Sequence, residues 1–503
     1  MVNYVYDERR GDMSDTQGLY RLIYRFYRAQ IESGQYQKGE PLPAALEIAE
    51  TFNVSFSTAR KALQSLKNDG YIELSPGRTA TVSWDGQCGA NRSELYDRIS
   101  GVIDMYDGMS YFLPPIMACG ARYVDSEGFE KLDLILAEIE NNNSGAIFDF
   151  TAFFIKQLGN PVLLHLFCEL DNFVFAAFSG GDRHFHLTNR EHPWTEHLPV
   201  KLFYNIAEAV GAADRGRCGE LFQKLAALYG EDMNAYLKSA GLENATGKIP
   251  FRWQVYVEQE QYLYSAAVDL LYRINTGKFP GRWLPPVPDL AASLGVSEIT
   301  VRRTIKLLNG IGVTETINRK GTRIYGVERA RHTVKIDVGM FKSRFIFGLR
   351  LLHILALTIE NVSYEAFCFF SEEDINGISE AIEDDAKRGK EFLTLGVTIN
   401  VICKTSKNTV IKEIYSQIAG RLVWLYPLRL IEFKDLDIYD FPRSSASMQD
   451  SLREGRRRDF SRHLSEVMTA TFFAAQTALL QLGITEAAEL RLPQMADDDI
   501  ERL

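Results

Sequence analysis

Apolar side chains recur along most of the chain at helical spacing, and twice that period gives way to the alternation of a short β-hairpin. Between Gly18 and Ser33 the Tyr, Leu and Arg residues describe an amphipathic helix that stops at Gly34. The same texture from Gln259 to Asn275 stops at Gly277, glycine being the residue that most readily closes a helix. A Pro-bearing turn follows each, then a short helix (about 44–52 and 288–294) and a tight turn at Asn53 or Gly295. A second helix comes next, for which Ser55 or Ser297 supplies the N-cap. After Gly70 the pattern predicts strands over Tyr71–Leu74 and Thr79–Ser83 around Pro76 and Gly77; after Gly312 it predicts Val313–Ile317 and Thr322–Tyr325 around Asn318–Gly321. Helix, helix-turn-helix and hairpin together make a winged helix.

The two winged helices are one segment written twice. The run from Gly39 aligns without a gap on the run from Gly281, an offset of 242 that pairs Leu42 with Leu284, Pro43 with Pro285, Val54 with Val296, Ser55 with Ser297, Thr58 with Thr300, Arg60 with Arg302, Leu66 with Leu308 and Gly70 with Gly312. The regions that follow are helical in period: Leu95–Met105, Phe129–Asn141, Phe150–Leu158, Pro161–Phe178 and Leu202–Lys238, then Phe345–Glu360, Glu372–Lys387, Asn408–Ile431 and Phe460–Leu482. A fainter echo at offset 248 relates the sequence around Asn160 to that around Asn408. The expected fold class is mainly α: two winged helix-turn-helix domains (1–86 and 251–328) alternating with two all-α helical-bundle domains (92–246 and 334–492), an internal duplication closed by an acidic tail (493–503).

Composition sharpens this. At 503 residues, 46% hydrophobic and 24% charged, the chain is a packed multi-domain protein and not a disordered or disulfide-scaffold one. The net charge of −10 argues against a uniformly basic nucleic-acid coat, but it is unevenly spread. Eight Arg and Lys against six Asp and Glu between Gln17 and Trp84 leave +2, and eleven against seven between Val255 and His332 leave +4, so the remainder carries −16. Six scattered cysteines without CxxC spacing read as reduced thiols, and the acidic start lacks the apolar core of a signal peptide. The apolar stretch Phe345–Ile359, interrupted by Arg350 and His353, reads as too short to span a bilayer. A cytoplasmic protein with no membrane partner is expected.

The sequence Leu-Pro, helix, hydrophobic-Asn/Gly-Val-Ser, Thr-hydrophobic-Arg, Leu-x-x-x-Gly and a glycine-bearing wing resembles, in each half, the DNA-binding domain of the gluconate-repressor (GntR) superfamily of bacterial transcription factors. The helical regions are most similar to the FadR-type effector domain, mainly around Gly159, Asn160 and Pro161 and over the run from Ile206. The resemblance implies that double-stranded operator DNA is the partner and that Arg60 and Arg302 lie at the heart of the recognition helices. Ser55, Ser57, Thr58 and Lys61 accompany Arg60; Ser297, Thr300, Arg303 and Lys306 accompany Arg302. Arg78 in one wing and Arg319, Lys320 and Arg323 in the other would reach phosphates or the minor groove. Two pairs of positions depart from the family pattern: Phe56 and Glu298 stand where an arginine commonly follows the cap serine, and Leu46 and Pro288 where the first helix of the motif usually has one. Glu298 facing a groove needs a cytosine amino group, or it repels phosphate.

Other chemistry is weaker. His184, His186, His192 and His197 cluster, but the one-Asp, three-His set of the metal-binding FadR class is missing around Asp149, so neither metal nor cofactor is expected. Phe150, Phe153, Phe154 and Tyr204 are candidates to line a pocket for a small organic effector, with plain helix core as the competing reading. No nucleophile elbow, HExxH or phosphate-binding GxxxxGK occurs, which sets an enzyme aside. The expectation is a regulator in which the usual dimer is fused into one chain, an intramolecular pseudo-dimer reading two non-identical half-sites, with further homodimerisation open. The rival is a protein-interaction scaffold whose winged helices have lost DNA.

Overall fold

A computed structural model describes residues 16–85, 92–141, 145–178, 199–254, 266–325, 338–388, 392–430 and 441–493, apart from 76, 240, 242–246, 248, 268, 272, 275–277, 280 and 311. The chain forms two compact units, one of residues 1–95, 165–193 and 254–258, the other of 96–164, 194–253 and 259–503.

In the first unit α1 (Thr16–Glu32), α2 (Ala45–Phe52) and α3 (Phe56–Asn68) are followed by the hairpin of β1 (Ile72–Glu73) and β2 (Thr81–Val82). Leu22, Ile23, Phe26, Phe52, Ala62 and Leu66 close the core, with Phe26 edge-on to Phe52 at 5.1 Å. The corner between α2 and α3 needs a left-handed residue, and Asn53 adopts φ +49° there. The C-terminal part of α7 (Pro161–Phe178) is docked on this winged helix. His165 Nε2 donates to the Phe52 carbonyl at 2.8 Å, and Arg25 of α1 donates to buried Glu169 at 2.5 Å and to Gln254 at 2.7 Å.

The second unit holds most of the helical regions and the second winged helix. Its first bundle comprises α4 (Arg92–Ala121), α5 (Ser126–Glu140), α6 (Gly145–Lys156), the start of α7, α8 (Val200–Gly211) and α9 (Arg215–Ser239). The winged helix follows, with helical residues between 266 and 274, then α10 (Val287–Leu294), α11 (Glu298–Gly310), β3 (Thr314–Ile317) and β4 (Gly321–Ile324). The second bundle comprises α12 (Val338–Phe367), α13 (Glu372–Arg388), α14 (Phe392–Thr405), α15 (Thr409–Arg421), α16 (Phe441–Arg453) and α17 (Arg457–Gln481), with 3-10 turns over Leu422–Leu430 and Thr485–Glu489. The architecture is the mainly α one expected.

The duplication holds at the level of single main-chain bonds. Leu42 N donates to Ala80 O and Leu284 N to Thr322 O, both at 2.8 Å, so the Pro-bearing turn adds a third edge to each wing. Val54 N to Ala49 O (2.9 Å) and Val296 N to Ala291 O (3.2 Å) close the two corners, the second through Gly295 at φ +66°. The bundles also reciprocate. Asn160 caps α7 through Oδ1, accepting from Val162 N and Leu163 N, and its Nδ2 donates to Arg350 O of α12 at 2.8 Å. Asn408 caps α15 through Oδ1, accepting from Val410 N and Ile411 N, and its Nδ2 donates to Asp104 O of α4 at 2.5 Å. Each bundle thus sends one asparagine to the first helix of the other. Gly159, at φ +66°, lies so close to the C-terminal segment that a Cβ would come 2.0 Å from Glu489 O, and Arg491 N donates to Leu158 O at 3.1 Å.

Several element boundaries differ from the pattern reading. α4 runs on past Met105 through Pro114 and Pro115 to Ala121, because its apolar side is buried in the bundle and packing outweighs two breakers. The single helix expected over Leu202–Lys238 is two, broken at Ala213 with φ +52°, where Asp214 Oδ1 accepts from Arg217 N and starts α9. α15 ends at Arg421 and the chain tightens to 3-10. The stretch around Phe345 belongs to a helix segment, Lys342–Phe367, that is long and apolar enough to cross a membrane by length and composition; most of it is buried inside the bundle, with Phe345, Leu349, Ile354 and Ile359 fully enclosed. The acidic tail beyond 493 lies outside the described residues.

Candidate nucleic-acid interface

The two helices expected to read DNA are α3 and α11, and each is started by its serine. Ser55 Oγ accepts from Thr58 N and Ser297 Oγ from Thr300 N, both at 3.2 Å. Ser55 also meets Ser57 Oγ and Thr58 Oγ1 at 2.8 Å, and Ser297 meets Thr300 Oγ1 at 2.9 Å, so these hydroxyls are tied to the cap. Thr58, only 4% exposed, faces the core. The cations point outward: Arg60 and Lys61 on α3, and Arg302, Arg303 and Lys306 on α11, are all exposed. Lys61 Nζ sits 4.0 Å from the ring centre of Tyr20 in α1, a cation–π contact that aims the ammonium. Arg302 Nη2 lies 3.4 Å from Glu298 Oε2 one turn earlier, with both side chains at least half exposed; such a pair contributes about 0.3–0.5 kcal/mol and opens readily.

The wings differ in charge. Arg78 is exposed on the short first wing, where its amide closes a turn onto Ser75 O at 3.2 Å. The second wing carries Arg319 at φ +62° and Lys320 in its exposed turn, while Arg323 on β4 packs 5.5 Å from the ring centre of Tyr325. Apolar side chains share the recognition surface: Leu46 is 59% exposed, Phe56 53% and Ile299 66%.

At the base of the first winged helix, burial and a 2.6 Å hydrogen bond to Asp69 push the Tyr24 hydroxyl up to about 12. Tyr71 donates to Glu32 at 2.5 Å and is raised by burial and by that carboxylate. These bonds tie α1 to the C-terminus of α3, fixing the angle at which α3 is presented.

Residues 19–82 and 264–324 both match the family model described as bacterial regulatory proteins, gntR family. Each of the two winged helices thus matches the gntR family model, one copy per half of the chain. Its relatives include the HTH-type transcriptional repressor NanR of Enterobacter sp. (strain 638), 25% identical over 160 residues that cover 29% of this chain and 61% of the relative. NanR of Escherichia coli (strain K12 / DH10B) is 24% identical over 174 residues, covering 32% of this chain and 65% of the relative. The chain therefore spans less than two thirds of the length of these relatives. Among solved structures, Streptococcus agalactiae GntR is matched at a TM-score of 0.21 and 17% identity, over 43% of this chain and all of that one. E. coli McbR/YncC is matched at 0.22 and 15%, over 46% of this chain and all of that one; scores this low add nothing to the family match.

Outside the GntR modules, Phe150, Phe153 and Phe154 meet one another, Phe203 and Phe222 edge-on at 4.9–5.3 Å in a closed cluster, while Tyr204 lies on the surface, 40% exposed. The four clustered histidines lie outside the described residues. Among the described residues no group of three His, Cys, Asp or Glu is placed to hold a metal. Sequence reasoning missed Tyr20 beneath Lys61 and the docking residues His165 and Glu169. It also read Glu298 without Arg302, although their i, i+4 spacing on a helix carries that pairing.

Proposed function

We propose that the chain is a bacterial transcriptional regulator in which two winged helices read two non-identical half-sites of a double-stranded operator. Its two bundles pair as an intramolecular pseudo-dimer. The reciprocal exchange of Asn160 and Asn408 carries this reading: in a two-fold dimer residue i meets j and j meets i, and here both copies lie on one chain. Locally basic modules on an acidic chain fit a phosphate-binding footprint. The NanR relatives are repressors by name, which supports repression as the outcome. A small organic effector held in one bundle would act by shifting the population of DNA-competent arrangements. No metal or cofactor is invoked; the regulator works in the cytoplasm, with or without further homodimerisation.

The test is retention of genomic fragments by the full chain at two salt concentrations. A regulator gives saturable, sequence-selective fragments and an affinity that falls steeply with salt. Arg60→Ala with Arg302→Ala abolishes selection. Exposed Leu46, Phe56 and Ile299 favour the scaffold as second reading; no retained fragment from the wild type, or unchanged retention by the double variant, establishes that reading instead.

A further inference from the structure

Phe56 and Glu298 occupy the same place, the first residue of the recognition helix, 242 residues apart. Both project from it: Phe56 is 53% exposed, and the Glu298 side chain is half exposed. Four residues on, Arg60 and Arg302 are likewise exposed. At the first position of the helix the two copies therefore set a ring against a carboxylate hydrogen-bonded to its arginine, with exposed Ser57 and Ile299 differing at the next.

A carboxylate can only accept hydrogen bonds. In the major groove phosphates, guanine O6 and N7 and thymine O4 are all acceptors and repel it. The donors are the amino groups of cytosine and adenine, and adenine sets an acceptor, N7, beside its own. Cytosine carries no such neighbour, and its partner guanine presents O6 and N7 to an arginine. The 3.4 Å Glu298–Arg302 couple is thus an acceptor and a donor matched to cytosine and guanine. A phenyl ring offers neither and is matched by the thymine methyl.

We infer that the residue pair Phe56 and Glu298 sets the difference between the two half-sites: thymine opposite Phe56 in one, cytosine opposite Glu298 at the corresponding position of the other, with guanine read by Arg60 and Arg302. This rests on the reading of the chain as a DNA-binding pseudo-dimer.

The experiment is selection and sequencing of DNA bound by the full chain as wild type, Glu298→Phe and the reciprocal Phe56→Glu. Wild type selects a two-part site with cytosine at one position of one half and thymine at its counterpart. Glu298→Phe replaces that cytosine with thymine, and Phe56→Glu replaces the thymine with cytosine. In competition, exchanging the cytosine for thymine weakens wild-type binding by about tenfold. A selected site that stays the same in both variants overturns this inference while leaving DNA reading intact. A wild type that selects no site overturns DNA reading and this inference with it.

Discussion

In the first winged helix Tyr71, just beyond α3, reaches back to Glu32 of α1, and Tyr24 of α1 reaches Asp69. In the second, Val313 stands in place of Tyr71 and is buried, and the charged contact of the first helix is instead Arg273 with Asp269 and Ser293. The main-chain bonds of turn, corner and wing are nevertheless the same in both. Main-chain geometry is what a winged helix needs in order to fold, so it survives duplication. The side chains that set the tilt of the recognition helix and the chemistry at its tip are free to diverge, and they have diverged.

The sharpest way to separate the two modules is to unfold one. Phe52 is fully buried against Phe26 and Tyr27, and Leu294 holds the corresponding place in the second copy. Phe52→Ala is expected to cost the first winged helix about 3–5 kcal/mol. Limited proteolysis should then cut within 16–85 first, while selected DNA retains the half-site of the second module.

The two asparagine joints are a second comparison, and they differ in the side chain beside them, a histidine at one and an aspartate at the other. Asn160 Nδ2 lies 3.2 Å from His353 Nδ1, whose Nε2 donates to Arg491 O at 3.0 Å; beside Asn408, Asp104 accepts from Thr409 N at 3.1 Å. Burial lowers His353 to about 4, outweighing the hydrogen bond to the Arg491 carbonyl, which acts the other way. The folded chain keeps the imidazole neutral, whereas the unfolded chain protonates it near its ordinary value of about 6.5. Unfolding therefore takes up a proton between those values, and stability drains as pH falls from about 6.5 to about 4. His353→Gln should flatten the melting temperature across that window; an unchanged slope would place the acid sensitivity elsewhere.

What was legible in the chain follows from the same division. The offset of 242, the serine caps and the glycine turns are local, so each could be read from a few neighbouring residues. The echo at Asn160 and Asn408 was visible because cap, turn and close approach fall together in Gly159-Asn160-Pro161. The course of α4 through Pro114 and Pro115 was not, since only its buried surroundings make it worthwhile. The break at Ala213 was hidden for a related reason: the left-handed residue is an alanine and not the nearby Gly211 or Gly216, which the helical pattern runs through. At the interface the cations could be found by position, but Tyr20, the partner on another helix that aims Lys61, belongs to tertiary structure.

At the tips of the recognition helices the comparison can be drawn out by deletion. Arg60→Ala is expected to weaken operator binding by about 1–3 kcal/mol, confined to its own half-site. Arg302→Ala should cost more, because it also leaves Glu298 facing the duplex with no countercharge. Adding Glu298→Gln to Arg302→Ala should return the loss to that of Arg60→Ala, a coupling that titrations of the single and double variants measure directly. Equal losses for the two single arginine variants would mean that Glu298 turns away from the DNA.

The smallest expected effect divides the two joints themselves. Asn160→Ala removes the α7 cap and its bond to Arg350 O, a loss of about 1–2 kcal/mol. Asn408→Ala should cost about 1 kcal/mol, because Asp104 still accepts from Thr409 and partly replaces the lost cap. Aspartate at either position keeps the cap oxygen but sets a carboxylate against a carbonyl of the other bundle. Asn160→Asp and Asn408→Asp should therefore spare helix content by circular dichroism while lowering the melting temperature. If both aspartate variants melt like wild type, the cross-bundle donors contribute nothing and the bundles are held by apolar packing alone.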